Sequence, residues 1–250
     1  MKNTEIALSR TKIAENFPEL SEIGIELILS SMVEEHPELS TAQFFTWLDD
    51  LNKSVTFDIE FVPLTELKNW NVDGLGNVRH ESGKFFSIQG IRVKSANQNV
   101  IKEWDQPIIN QPEVGFLGIL CQKREDVLCF LMQGKIEPGN VNKIQLSPTL
   151  QATKSNFMQV HGGNVPKFLE YFKDEVEGRK IIVDQLQSEQ GARFLRKRNR
   201  NMIIEMPEST KLEVPDNFCW LTLNQLKHLL SYPNLINMDT RTVLSCIQIV

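Results

Sequence analysis

The sequence predicts an α+β fold, a mixed or antiparallel sheet flanked by helices, and three observations carry that reading. Apolar residues recur at helical spacing through about residue 55. From about residue 56 the period changes to two, over several short segments parted by turn-rich text. Helical text then returns before and after a final strand-like run. Two units are expected: an N-terminal helical segment over 1–55 and one module over 56–250.

In the first segment, "SEIGIELILSSMVEEH" places Ile23, Ile25, Leu27, Ile28 and Met32 on one stripe. "STAQFFTWLDDLNKS" begins with a Ser/Thr cap and sets Phe44, Phe45, Trp47, Leu48 and Leu51 on another, with Pro37 between the two helices. Strands are expected in "FDIEFVPL", "GKFFSIQGIRVKS", "EVGFLGILCQ", "DVLCFLMQGKI" and "NKIQLSPTLQATKSN". A helix is expected in "NVPKFLEYFKDEVEG", and another opening at Thr222 or Asn224 in "WLTLNQLKHLLSYPN".

Composition narrows the function. The net charge of −5 gives no general attraction to nucleic acid or to an anionic membrane. The charged N-terminal text lacks the apolar core of a signal peptide, so a cytoplasmic location is expected. Cys121, Cys129, Cys219 and Cys246 contain no CxxC spacing, Cys121 and Cys129 lie in apolar runs and read as buried thiols, and the four histidines are scattered, so no metal is expected.

The stretch Lys143–Thr153 raises the functional question. Ile144, Leu146, Pro148, Leu150 and Ala152 alternate with Lys143, Gln145, Ser147, Thr149, Gln151 and Thr153. One face of such a strand is apolar and the other nearly all amides and hydroxyls. The preceding run follows the same parity, with Gln133, Lys135 and Glu137 on one face. "EPGN" between them has the Pro-Gly signature of a type II turn and predicts a hairpin or part of a longer loop. A hydrogen-bonding face with one cation and one carboxylate suits a polyhydroxylated ligand, although an edge hairpin facing water has the same pattern. Trp104 and Gln106 in "EWDQPIINQPE" read as a loop able to stack on a ring or base. "RFLRKRNRN" holds Arg193, Arg196, Lys197, Arg198 and Arg200, either a solvated face or a phosphate-binding cluster.

With these residues in view, the chain resembles the NDP-hexose 2,3-dehydratase family. The resemblance lies in "HESGKFFSIQGIRVKSA", "WDQPIINQPEVGFLGIL", "LCFLMQGKIEPGNVNKIQLSPTLQATKSN", "QSEQGARFLRKRNRNMIIEM", "WLTLNQLKHLL" and "NLINMDTRTVL", and runs from about Trp47 to Leu244. It implies a Nudix-like fold, a dTDP-4-keto-6-deoxyhexose substrate, and removal of the C2 hydroxyl as water without a metal or other cofactor. Members usually carry two copies of the module and this sequence carries one. Either it forms a homodimer, or it is one half of a longer protein or a non-catalytic nucleotide-sugar-binding module.

The implied chemistry needs a base, an oxyanion donor and an acid. Glu137 is the expected base, Lys135 the donor to the C4 oxygen, and His80 the acid, with Glu137 and His80 open to exchange. Arg198 and Arg200 are expected at the diphosphate and Trp104 at the thymine. Gln106, Gln133, Asn140, Gln151, Thr153 and Asn156 are expected to read hydroxyls or nucleotide edges. Arg241 either pairs with Asp239 or reaches a phosphate.

Overall fold

The computed structural model describes residues 3–36, 38–97, 100–153, 165–173 and 176–249. Three helices come first: α1 (Asn3–Asn16), α2 (Glu22–Met32) and α3 (Thr41–Ser54). Ser21 caps α2, and Ser40 with Gln43 forms a capping box on α3, so the expected Ser/Thr start is the residue that satisfies the first-turn N–H groups. Two buried clusters join these helices to the strands. Leu27, Phe44 and Leu48 pack with Leu117, Ile119 and Met132, while Ile6, Ile13, Leu29 and Val33 pack with Leu120, Leu131 and Met202.

A small four-stranded sheet follows, in the order β1 (Trp70–Val72), β2 (Val78–His80), β3 (Ser87–Asn97) and β4 (Val100–Asn110). Strand β4 absorbs the "EWDQP" text that reads as a loop. Pro107 is compatible with it because β4 is the sheet's edge, where a missing N–H leaves no ladder bond unmade. Conversely, "FDIEFVPL" alternates but pairs with no strand among the described residues and has no regular structure before the 3-10 turn Leu64–Glu66, leaving Phe61 98 % exposed.

The larger sheet runs β11 (Phe218–Thr222), β6 (Val127–Ile136), β5 (Gly115–Arg124), β10 (Arg198–Met206) and β9 (Lys180–Ser188). Strand β10 is parallel to β5 and the other pairings are antiparallel. Strands β5 and β6 pair only from Leu120↔Leu131 to Arg124↔Val127 and then part. Beyond the fork β7 (Ile144–Ser147) pairs with β6 and β8 (Leu150–Thr153) pairs with β5. The one strand expected over Lys143–Thr153 is therefore two, broken at Pro148-Thr149.

Thr149 explains how the break is tolerated. Its hydroxyl accepts from the Leu120 N–H at 2.9 Å and donates to the Leu131 carbonyl. These are the backbone groups that the parting strands would otherwise leave unpaired. Gln145, Ser147 and Thr149 are buried, so half of the expected polar face belongs to the fork. The hairpin turn is present, with Asn140 N donating to Glu137 O at 3.0 Å. It is not type II, which needs a positive φ at Gly139; among the described glycines only Gly76, Gly83 and Gly178 have one.

The remaining helices are α4 (Leu169–Phe172), α5 (Leu223–Leu229) and α6 (Met238–Leu244). Only one helical turn stands where a longer helix is expected in "NVPKFLEYFKDEVEG", part of which lies outside the described residues. Thr222, one of the two expected starts, caps α5 and forms a capping box with Gln225. Residues Leu235–Asn237 run beside β7, with Leu146 N donating to Leu235 O and Asn237 N to Leu146 O, each at 2.9 Å. That pairing fixes where α6 starts.

Candidate active site

At the fork, the start of β5, the end of β6, β8, the start of β10 and the first turn of α6 surround a cleft of about 270 Å³. Lys135, Gln151, Thr153, Glu189, Lys197, Asn199 and Asp239 line it, with Gln111, Phe116 and Phe194. Lys135 lies on the β6 face opposite Gly134, whose own side is closed by Leu51 and Trp47. Its ammonium donates to Gln151 Oε1 at 2.7 Å and stands 3.2 Å from Glu137 Oε1. An ammonium can only donate, so the Gln151 amide must turn its oxygen to Lys135 and its NH2 to Asp239 Oδ2, to which it donates. Glu137, Lys135, Gln151 and Asp239 thus form one chain of contacts.

Asp239 is carried by α6, whose Asn237 cap and pairing with β7 bring it against a residue 88 positions earlier. Burial raises its pKa above the ordinary carboxylate range, and the Gln151 hydrogen bond opposes that rise. Just before β10, Lys197 is buried and donates to the Glu113 carbonyl, and burial lowers its ammonium pKa. Asn199 Nδ2 donates to Glu189 Oε2 at 2.7 Å. Gly115 leaves room for this pair: a Cβ there would stand 2.2 Å from Asn199 Oδ1 and 3.5 Å from Lys197 Nζ.

Of the residues singled out from sequence, the structure brings Lys135, Gln151 and Thr153 to the cleft and sets Glu137 beside Lys135. Gln133 lies deeper on β6, opposite Ser147. Asn140 donates to the carbonyls of Lys135 and Lys143 and holds the hairpin loop. Arg198 and Arg200 alternate with Lys197 and Asn199 along β10 and so project to the other face. Arg200 there makes a two-pronged bond to Asp184, both distances 2.7 Å. Arg241 donates to the Ile236 and Leu230 carbonyls, not to Asp239.

His80 and Trp104 sit on the small sheet and line no part of the cleft. His80 Nδ1 accepts from Ser82 N at 3.2 Å and its ring lies edge-on to Phe85 and Trp70, in a turn ahead of Gly83. Trp104 Nε1 donates to Gln106 Oε1, and Gln106 Nε2 donates to Ala192 O. Asn156 lies outside the described residues.

Comparison with known sequences agrees with the resemblance. The family described as NDP-hexose 2,3-dehydratase matches residues 41–247. The chain belongs to the NDP-hexose 2,3-dehydratase family. Relatives include a dTDP-4-dehydro-6-deoxy-alpha-D-glucopyranose 2,3-dehydratase of Saccharopolyspora spinosa, 49 % identical over 210 residues, which are 84 % of this chain and 42 % of that protein. One of the same name from Amycolatopsis orientalis is 43 % identical over 88 % of this chain and 47 % of its own. The chain therefore spans less than half the length of these relatives.

Among solved structures, the Ap4A hydrolase of C. elegans aligns with 53 % of this chain and 93 % of its own, at 12 % identity and a TM-score of 0.34. The family match begins at Thr41 and thus includes α3, which shares the core of the larger sheet. Every described residue that lines the cleft falls within the matched range.

Proposed function

We propose that this dehydratase-family chain removes the C2 hydroxyl of a dTDP-4-keto-6-deoxyhexose as water, giving a 3,4-diketo-2,6-dideoxy sugar. The observation that carries the reading is the cleft at the fork. Two ammoniums, two carboxylates, three amides and a hydroxyl converge there from β6, β8, β10, α6 and the segments that follow β4 and β9 and precede β10. Such a set binds hydroxyls and carbonyls and also moves protons, whereas a pure binding face would need no carboxylate or ammonium of shifted proton affinity.

Lys135 suits the C4 oxygen: held by Gln151 and Glu137, it offers a fixed positive charge where the enolate develops. Gln151 and Thr153 suit the sugar hydroxyls. Two carboxylates, Glu137 and Asp239, stand within this network as candidates for the base. The protein is further inferred to act in the cytoplasm as a homodimer. Support for the dimer comes from the exposed apolar side chains Leu75, Phe85 and Trp104, on the small sheet or its connecting turns, and Ile59 and Phe61, in the segment that precedes it.

The test is incubation with dTDP-4-keto-6-deoxyglucose in heavy water, followed by mass spectrometry. Loss of one water, with deuterium at C2, is the expected result. Tight binding without loss of water would overturn the reading in favour of a nucleotide-sugar-binding module.

A further inference from the structure

We propose that Asp239, not Glu137, is the catalytic base that takes the C3 proton, and that Lys197 returns a proton to the hydroxide leaving C2. The assignment rests on the dehydratase reading of the cleft. Both carboxylates belong to the network around Lys135, but their settings differ. Glu137 stands at the outer end, before the Pro138-Gly139 turn, with over a third of its side chain exposed and Lys135 3.2 Å away. Asp239 is at the inner end, lines the cleft itself, and is held by a neutral amide instead of a cation. Asp239 therefore presents its carboxylate to the substrate space itself, whereas Glu137 lies outside the cleft lining with Lys135 against it.

The step balances. Asp239 takes the C3 hydrogen as a proton, and the C–H electrons form the C3–C4 enolate, whose oxygen faces Lys135. Collapse of the enolate restores the C4 carbonyl, makes the C2–C3 double bond and expels hydroxide, which leaves as water with a proton from Lys197. The enol then takes a solvent proton at C2, and its C3 hydroxyl becomes the second ketone. Asp239 returns its proton to solvent and Lys197 regains one. Lys197 reaches the cleft from the residue that leads into β10, anchored on the Glu113 carbonyl. Burial favours its neutral form, which makes its ammonium a better acid than an exposed lysine.

The test compares Asp239→Asn, Asp239→Glu, Glu137→Gln and Gln151→Met on the full chain. It reads kcat, KM and the pH profile of kcat/KM with dTDP-4-keto-6-deoxyglucose. Asp239→Asn should lower kcat by roughly 10²–10⁴-fold with nucleotide binding retained, and Asp239→Glu should recover part of it. The acid limb of the profile should follow the groups that set the proton affinity of Asp239. Gln151→Met removes a donor that lowers it, so the limb moves to higher pH. Glu137→Gln removes a negative neighbour that raises it, so the limb moves to lower pH.

A purely structural Asp239 would not shift the limb in these opposite directions. Water loss by the wild type with near-normal turnover in Asp239→Asn would overturn the assignment alone. Abolition of the acid limb in Glu137→Gln would give the role to Glu137 instead. A wild-type chain that binds the sugar nucleotide and loses no water would overturn the dehydratase reading along with it.

Discussion

Asp239 illustrates the conflict between stability and chemistry in a single side chain. Its pKa is raised in the folded chain because burial penalises the carboxylate. A group of this kind binds its proton more tightly folded than unfolded, so stability falls as pH rises from the ordinary carboxylate range through the raised value. Above it the ionised group is a net cost. Asp239→Asn, which keeps an oxygen for the Gln151 NH2, should therefore raise Tm at pH 7 by about 1–4 °C while turnover collapses. The gain should fade as pH falls towards roughly 4. Calorimetry across pH checks both, and a lower Tm at neutral pH would contradict the balance argued here.

At the scale of elements, the fork between β5 and β6 makes the site, and it explains what the sequence could and could not disclose. Lys135, Gln151 and Thr153 were legible because period-two alternation and the intervening turn are local. The break at Pro148-Thr149 was not, since alternation runs through it and only the pairing of β7 and β8 with different strands reveals it. The basic run "RFLRKRNRN" carries a further local signal. Lys197, Asn199 and Asn201 alternate with Arg198 and Arg200, so the amide-bearing face was separable from the arginine face by parity. Asp239 and Glu189 had no such signal, because packing between distant segments places them.

If Thr149 holds the fork open, Thr149→Val should leave the Leu120 N–H and the Leu131 carbonyl unsatisfied in a buried place. The expected cost is about 1–3 kcal/mol in urea unfolding, with an accompanying loss of turnover. A neutral effect would mean that the strands can close without it.

At the scale of the whole molecule, the helical segment is part of the fold that carries the cleft. Leu27, Phe44 and Leu48 share one cluster with strands β5 and β6. A buried ion-pair network also crosses the boundary suggested by the change of period. The Glu26 carboxylate, 4 % exposed, accepts from Arg10 at 2.8 and 3.1 Å and from Lys123 on β5 at 3.0 Å. One α2 side chain thereby ties α1 to the far end of the strand whose beginning lines the cleft.

Removing one partner of a buried pair costs more than the pair contributes, because the remaining charges lose their counter-ion. Arg10 and Lys123 are 30 % and 21 % exposed and can recover some hydration, which places Glu26→Ala below the full penalty, at on the order of 2 kcal/mol. The cost should appear as one cooperative shift of the whole unfolding curve with an unchanged m-value. A separate early transition confined to helical signal would instead show that residues 1–55 unfold as an independent unit. The shared core argues against that: exposing Leu27 and Phe44 would open the cluster behind β5 and β6 and, with it, the floor on which Lys135 and Leu117 are held.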